Sequence, residues 1–287
     1  MERAYSLERS QIRLGWAFLV PALAIFALIG FYPLVHTFFM SFTDARLGAI
    51  DETQLVGLKN YSELLKDDEF IASIRQTLVF TLSSVTLEVI FGFAIALLIH
   101  AQFPGRGMVR AMVLIPWALP TVVSAKIWDY MFIDTYGVIN DLLVTRLGIF
   151  SEKIAWLAER DFAMASVVLV DVWKTTPLVA LIILGGLQLI PDQLMEAADV
   201  DGATPWQRFT KVTVPLLKPV ILIALVFRTL DALRVFDVIW VMTRGKFQTD
   251  SMATYTYRQM IYFHQLGYGS AASVIIFAVI SVFVALY

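Results

Sequence analysis

Cysteine is missing from all 287 residues, and histidine occurs only at His36, His100 and His264. That excludes a disulfide framework, a thiolate metal site and a cysteine nucleophile. Charge is scarce too: Asp, Glu, Lys and Arg make up 16%, against roughly 25% in ordinary soluble domains. The net charge is −2, and the 22 Lys and Arg are spread without a polybasic cluster, so the chain offers no field to nucleic acid. Neither a G-x-x-x-x-G-K-[ST] phosphate loop nor an H-E-x-x-H pair occurs, which leaves no recognisable means of hydrolysing ATP and no zincin site. Gly267-Tyr268-Gly269-Ser270-Ala271-Ala272 matches a relaxed G-x-G-x-x-A spacing but follows no strand and opens an apolar run. Small residues that allow close approach account for it better than a dinucleotide site.

What the chain has in excess is apolar surface, with 59% hydrophobic residues and a mean hydropathy of +0.73. A bilayer pass needs about 20 predominantly apolar residues, and six windows meet that length: Leu14–Phe42, Ile74–His100, Met108–Phe132, Phe162–Leu189, Leu216–Met242 and Tyr268–Tyr287. The first is too long for a cleavable signal and lacks a small-residue cleavage site, so it reads as a retained span. The expectation is an all-α membrane protein, a six-transmembrane-helix bundle forming one domain over 1–287, with cytoplasmic coupling helices in the loop 191–215. Pro21, Pro33, Pro116, Pro120 and Pro177 fall inside spans. They are read either as broken, cavity-lining helices or as simple packing kinks.

Basic residues are denser on the short segments that carry Arg3, Arg9, Arg13, Arg106, Arg110, Arg208, Lys211 and Lys218. By the positive-inside rule this puts the N-terminus in the cytoplasm, and six spans return the C-terminus there. The sixth window has no basic flank before Tyr287, so residues beyond it are expected.

The loop after the fourth window is the most specific stretch. Pro191 and Asp192 suit a helix start, and Gly202 suits the left-handed position just past its end. Thr204 then caps a second helix with Pro205 at its first position. Leu194, Ala197 and Ala198 give the first helix a narrow face of mostly small residues, with the carboxylates of Glu196 and Asp199 beside it, free to meet a partner's arginines. This is either a plug for another protein or an amphipathic loop resting on headgroups.

Glu196, Ala197, Ala198, Gly202, Val212, Val214 and Pro215 realise E-A-A-x-x-x-G-x9-[IV]-x-[LV]-P, which resembles the cytoplasmic EAA motif of ABC importer permeases. The D-G-A of Asp201, Gly202 and Ala203 and the P-x-x-x-P of Pro215 and Pro219 are similar to the carbohydrate branch, the maltose and trehalose type. The likeness extends to Gly57-Leu58-Lys59-Asn60-Tyr61, Leu114-Ile115-Pro116-Trp117, Val172-Trp173-Lys174-Thr175-Thr176-Pro177 and Arg228-Thr229-Leu230-Asp231-Ala232. One departure is Thr243-Arg244-Gly245-Lys246-Phe247, where many relatives have T-x-G-G-P. The resemblance implies a permease of the prokaryotic inner membrane and no enzyme. A second homologous permease, two ATP-binding-cassette ATPase subunits and an extracytoplasmic sugar-binding protein would be its partners. ATP and Mg would sit in the ATPases, with no cofactor in this chain. Glu196, Ala197, Ala198, Asp199, Asp201, Gly202 and Ala203 would dock on an ATPase.

A separate set of residues carries charge into the spans: Glu88, Lys126, Asp129, Asp171, Lys174, Arg228, Asp231, Arg234 and Asp237. Each would cost roughly 2.5–3.5 kcal/mol at a bilayer centre, so such groups should face protein or water. Arg228, Asp231, Arg234 and Asp237 recur every third residue with alternating sign, a ladder suited to pairing along one helix side. With Trp128, Asp129, Asp171 and Trp173 they are the candidates for the substrate path or its gate; the alternatives are helix-holding ion pairs and headgroup-level tryptophan anchors. Asp129 and Asp171 also raise a rival, an ion- or proton-coupled secondary transporter working without an ATPase. Six spans, no inverted repeat and an elaborate cytoplasmic helix pair argue against it.

Overall fold

The computed structural model describes residues 2–49 and 53–286, with side chains from residue 12 onward, so the side chains of Arg3 and Arg9, and Tyr287, lie outside what is described. Among the described residues the architecture is helical. It runs α1 (Glu2–Phe26), α2 (Tyr32–Met40), α3 (Lys59–Leu64), α4 (Asp68–His100), α5 (Arg106–Ala118), α6 (Thr121–Met131), α7 (Val138–Asn140) and α8 (Arg160–Gln188). It continues with α9 (Asp192–Val200), α10 (Pro205–Arg208), α11 (Val214–Ala232), α12 (Asp237–Met242), α13 (Met252–Tyr257) and α14 (Leu266–Leu286). Five stretches are long and apolar enough to cross a bilayer by themselves: Ile12–Met40, Asp68–His100, Arg160–Gln188, Pro205–Ala232 and Leu266–Leu286. A sixth crossing exists only if α5 and α6 together count as one.

One expected span is corrected and another resolved. The third window, Met108–Phe132, whose prolines left open a broken helix or a simple kink, is two helices meeting at 91°. Pro120 has no N–H to give and disfavours helical geometry at Leu119, whose ψ is 139°, so the chain turns there. The fifth, read as Leu216–Met242, ends at Ala232 and restarts as α12 after a break through Phe236. Other prolines are absorbed: Pro21 and Pro177 lie inside unbroken helices. Pro33 and Pro215 each follow a π-helical turn, Ala27–Phe31 and Phe209–Thr213, which ends two residues before the ring. A wider turn of this kind accommodates a missing donor without ending the helix.

The chain divides into two compact units. In the unit made of Asp67–Tyr255 with Ala278–Tyr287, α8 is the centre: 72% of its apolar window is buried, and α4 is its most extensive neighbour. Gly92 makes that pairing close, since a Cβ there would lie 2.7 Å from Val179 Cγ1. Gly186 does the same towards α11, where a Cβ would meet Val220 and Leu217 at 2.8 and 2.9 Å. Small residues at crossings are the usual device where lipid removes the hydrophobic drive for association. Asp67 starts α4 by accepting from the backbone N–H groups of Glu69 and Phe70 at 2.8 and 3.2 Å, and also accepts from the Tyr255 hydroxyl at 2.5 Å.

The other unit, Met1–Lys66 with Thr256–Phe277, explains two of the familiar motifs. Buried Asn60, from the Gly57–Tyr61 string, donates to the carbonyls of Ser41 and Thr43 at 2.9 and 2.8 Å. Gly267 is packed so closely that a Cβ would stand 2.0 Å from the Thr43 carbonyl oxygen, and its N–H donates to Ala45 at 2.9 Å. Gly269 abuts the Met260 side chain. The G-x-G spacing thus serves close packing. Asn60→Ala is expected to orphan two carbonyls and lower stability by about 1–3 kcal/mol, read as a drop in the thermal midpoint of detergent-solubilised protein. An unchanged midpoint would mean that water replaces the amide.

Candidate functional site

The loop 191–215 folds as local rules dictate. Pro191 stands at the N-cap of α9. Past its end Gly202 has φ +74°, and the Ala203 N–H returns to the Ala198 carbonyl at 2.9 Å, a left-handed C-terminal closure. Thr204 and Gln207 form a reciprocal capping box at the start of α10, with Pro205 in its first turn. Leu194, Val200 and Trp206 are exposed, Val200 by 87% and Trp206 by 70%, while Glu196, Ala197 and Asp201 are exposed and Ala198 and Ala203 half-buried. No residue of α9 is buried. Exposed apolar side chains clustered on an elbow suit contact with another protein or with lipid headgroups. Val200 and Trp206 were not among the expected contact residues, because neither lies on the face formed by Leu194, Ala197 and Ala198.

The Asp199 carboxylate already has a partner within the chain, since Arg208 Nη1 lies 2.6 Å from Oδ2 and 2.5 Å from Oδ1, although its side chain stays 54% exposed. The bridge spans Gly202 and ties α9 to α10. Phe209, against Trp206 at 5.6 Å, also meets Phe93 of α4 edge-on at 5.6 Å between ring centroids, so the elbow is anchored to the bundle.

The charges inside the bundle converge on Arg228 of α11, which is 2% exposed. Its Nε and Nη2 donate to Glu88 of α4 at 2.5 and 2.8 Å, a two-pronged pair, and Nη2 also donates to Asp171 of α8 at 3.1 Å. Nη1 donates to Asp231 at 2.5 Å. The Thr175 hydroxyl lies 2.6 Å from both Glu88 Oε1 and the Asp171 carbonyl oxygen. One guanidinium thus joins three helices, and its planar fork is what allows it. The expected ladder is realised over three of its four members: Asp231 pairs with Arg228 and, at 3.8 Å, with Arg234. The break after Ala232 takes Asp237 off the register, and no ion pair reaches it among the described residues.

Above this knot opens a cleft of about 210 Å³, lined by Trp117, Lys174, Arg228, Asp231, Arg234 and Asp237 together with Asp171, Thr121 and Phe236. It is bordered by the bend between α5 and α6. Five of the eight expected path residues, Asp171, Arg228, Asp231, Arg234 and Asp237, meet here. Lys174 and Trp117 also line the cleft, and Glu88 holds Arg228 from beneath it; Glu88 and Lys174 were already marked by their charge within spans. The other three expected residues lie elsewhere. Trp128 and Trp173 pack edge-on at 5.5 Å and line an apolar groove with Leu87, Phe91, Val168 and Leu169. Asp129 accepts from Lys126 at 2.6 Å.

The comparisons agree with this geometry. Residues 88–287 match the model of the family described as binding-protein-dependent transport system inner membrane component. The trehalose/maltose transport system permease protein MalF of Thermococcus litoralis is 39% identical over 285 residues, covering 98% of this chain and 94% of the relative. The trehalose transport system permease protein SugA of Mycobacterium tuberculosis is 38% identical over 270 residues, covering 94% and 86%. A chain of the crystal structure of a bacterial alginate ABC transporter, in complex with an alginate pentasaccharide-bound periplasmic protein, superposes with a TM-score of 0.85 at 24% identity, covering 97% of this chain and 94% of that one. Fold, family and relatives together define the class, a multi-pass helical membrane component of an ABC transporter. The chain belongs to the family of binding-protein-dependent transport system inner membrane components.

Removing one partner from a buried charge pair costs about 3–5 kcal/mol. Glu88→Ala is therefore expected to cut the yield of folded, detergent-extractable protein severely. Arg228→Lys is expected to fall nearly as far, because an ammonium cannot replace the fork. Size-exclusion profiles after mild extraction would show it; a normal Arg228→Lys profile would mean that charge alone suffices.

Proposed function

We propose that the chain is one permease half of an ATP-driven importer for a disaccharide or oligosaccharide of the trehalose or maltose type. It pairs with a second homologous permease and receives sugar from an extracytoplasmic binding protein. It takes its drive from two ATPase subunits that hold the ATP and Mg. The observation that carries this reading is the exposed, internally braced elbow of α9 and α10 in a chain whose close relatives are named as trehalose and maltose permeases. The N- and C-termini and the elbow lie on the cytoplasmic side.

Glu196, Ala197, Ala198, Asp201, Gly202 and Ala203, with Val200 and Trp206, form the face that enters the ATPase. Asp199 serves instead as an internal strut towards Arg208. Closure of the nucleotide-bearing subunits moves the elbow as one piece and biases the bundle between two arrangements. The sugar passes the charged cleft, where Lys174, Asp231, Arg234 and Asp237 offer hydrogen bonds to hydroxyl groups and Trp117 and Phe236 offer apolar faces. Pairing of Asp129 with Lys126 and of Asp171 with Arg228 speaks against an unpaired relay carboxylate, and so against the secondary-transporter alternative.

Proline cannot adopt the φ of +74° at Gly202. Gly202→Pro, or Ala198→Lys on the same elbow, is expected to leave the chain inserted while sugar uptake by reconstituted vesicles falls at least tenfold and ATP hydrolysis loses its response to loaded binding protein. Full, sugar-responsive uptake by both variants would remove the elbow from the mechanism.

A further inference from the structure

The cleft holds three cations, Lys174, Arg228 and Arg234, facing Asp171, Asp231 and Asp237, with Glu88 beneath. Glu88 and Asp171 reach Arg228 from inside the bundle, and Glu88 is fully buried. Asp231 differs from both. Its side chain is 62% exposed, and it alone contacts two of the cations, Arg228 through Oδ2 at 2.5 Å and Arg234 through Oδ1 at 3.8 Å. It lies over the one Arg228 nitrogen, Nη1, that the buried carboxylates leave to the cleft side.

We propose that Asp231 is a specificity-determining screen: by setting its carboxylate against the buried guanidinium of Arg228 and beside the exposed one of Arg234, it sets the charge class of solute admitted at the cleft mouth, favouring uncharged polyhydroxyl compounds over anionic ones. Without it the cleft presents Arg228, Arg234 and Lys174 to solvent and becomes an anion site, since clustered donors in a partly dry recess attract opposite charge strongly. A neutral polyol donates to Asp231 and accepts from Arg234 without separating the pair. An anionic sugar meets the carboxylate first. The claim about solute rests on the cleft being the path; the claim about charge does not.

The absence of native cysteine makes the charge directly readable. Thr121→Cys, at the cleft wall, is labelled in membrane vesicles containing the assembled transporter, with cationic and anionic methanethiosulfonate reagents of similar size, and the mass gain of this chain is followed over time. Adding Asp231→Asn is expected to lower the cationic-to-anionic rate ratio by roughly fivefold or more, and adding Arg234→Gln to raise it, as expected for unit charges lining the same small cleft as the thiol. A ratio unmoved by either variant, or moved in the same direction by both as mere loosening would do, overturns the screen. Protection by sugar is scored separately: a responsive ratio combined with no slowing of labelling by trehalose or maltose during turnover would overturn the path, and with it the statement about solute.

Discussion

Everything in the larger unit is organised by the need to keep Arg228 paired. A guanidinium that is 2% exposed inside an apolar bundle is tolerable only if its donors are met, and it meets them by drawing a carboxylate from α4, another from α8 and a third from its own helix. Desolvating the pairs offsets much of their attraction, so the net contribution to stability is small. Their effect is on geometry: α4, α8 and α11 have one relative setting in which the fork, the two buried carboxylates and Thr175 all fit. Gly92 and Gly186 bring the backbones close enough for that setting to be reached.

The same arrangement separates two kinds of surface on one bundle. On one side the polar knot opens into a cleft whose mouth is exposed at Asp231 and Arg234. On another, Trp128 and Trp173 sit among aliphatic side chains in a groove suited to hydrocarbon or to an apolar helix. Residues that look equivalent as a list of aromatic and charged side chains therefore divide by their neighbours. Trp117 stands at the charged cleft; the Trp128–Trp173 pair does not.

How much of this was legible in the sequence depends on the range over which each feature is decided. The elbow was readable residue by residue, because Gly202, Thr204 and Pro205 act through their own backbone and that of residues within three or four positions. Five long apolar helices lie where apolar run length placed them, and a sixth crossing exists only if α5 and α6 count as one. The bend at Leu119 was marked by Pro120, whereas the break between Ala232 and Asp237 carries neither proline nor glycine and was passed over. The convergence of Glu88, Asp171 and Arg228 joins positions separated by up to 140 residues, so no local pattern announces it. The Asp199–Arg208 bridge was hidden for a related reason: it closes across a turn whose sharpness only Gly202 hints at.

The run from Pro205 to Ala232 is a single apolar stretch of 28 residues, joined through the π-helical turn at Phe209–Thr213. Its first turn is braced to α9, and its far end carries Arg228. The 23 steps between Pro205 and Arg228 amount to about 35 Å at 1.5 Å per residue. The wider turn near one end is the compliant joint of an otherwise stiff connecting rod. Beyond that joint and Pro215 and Pro219, which follow it, the same helix carries the one side chain on which three helices are hung.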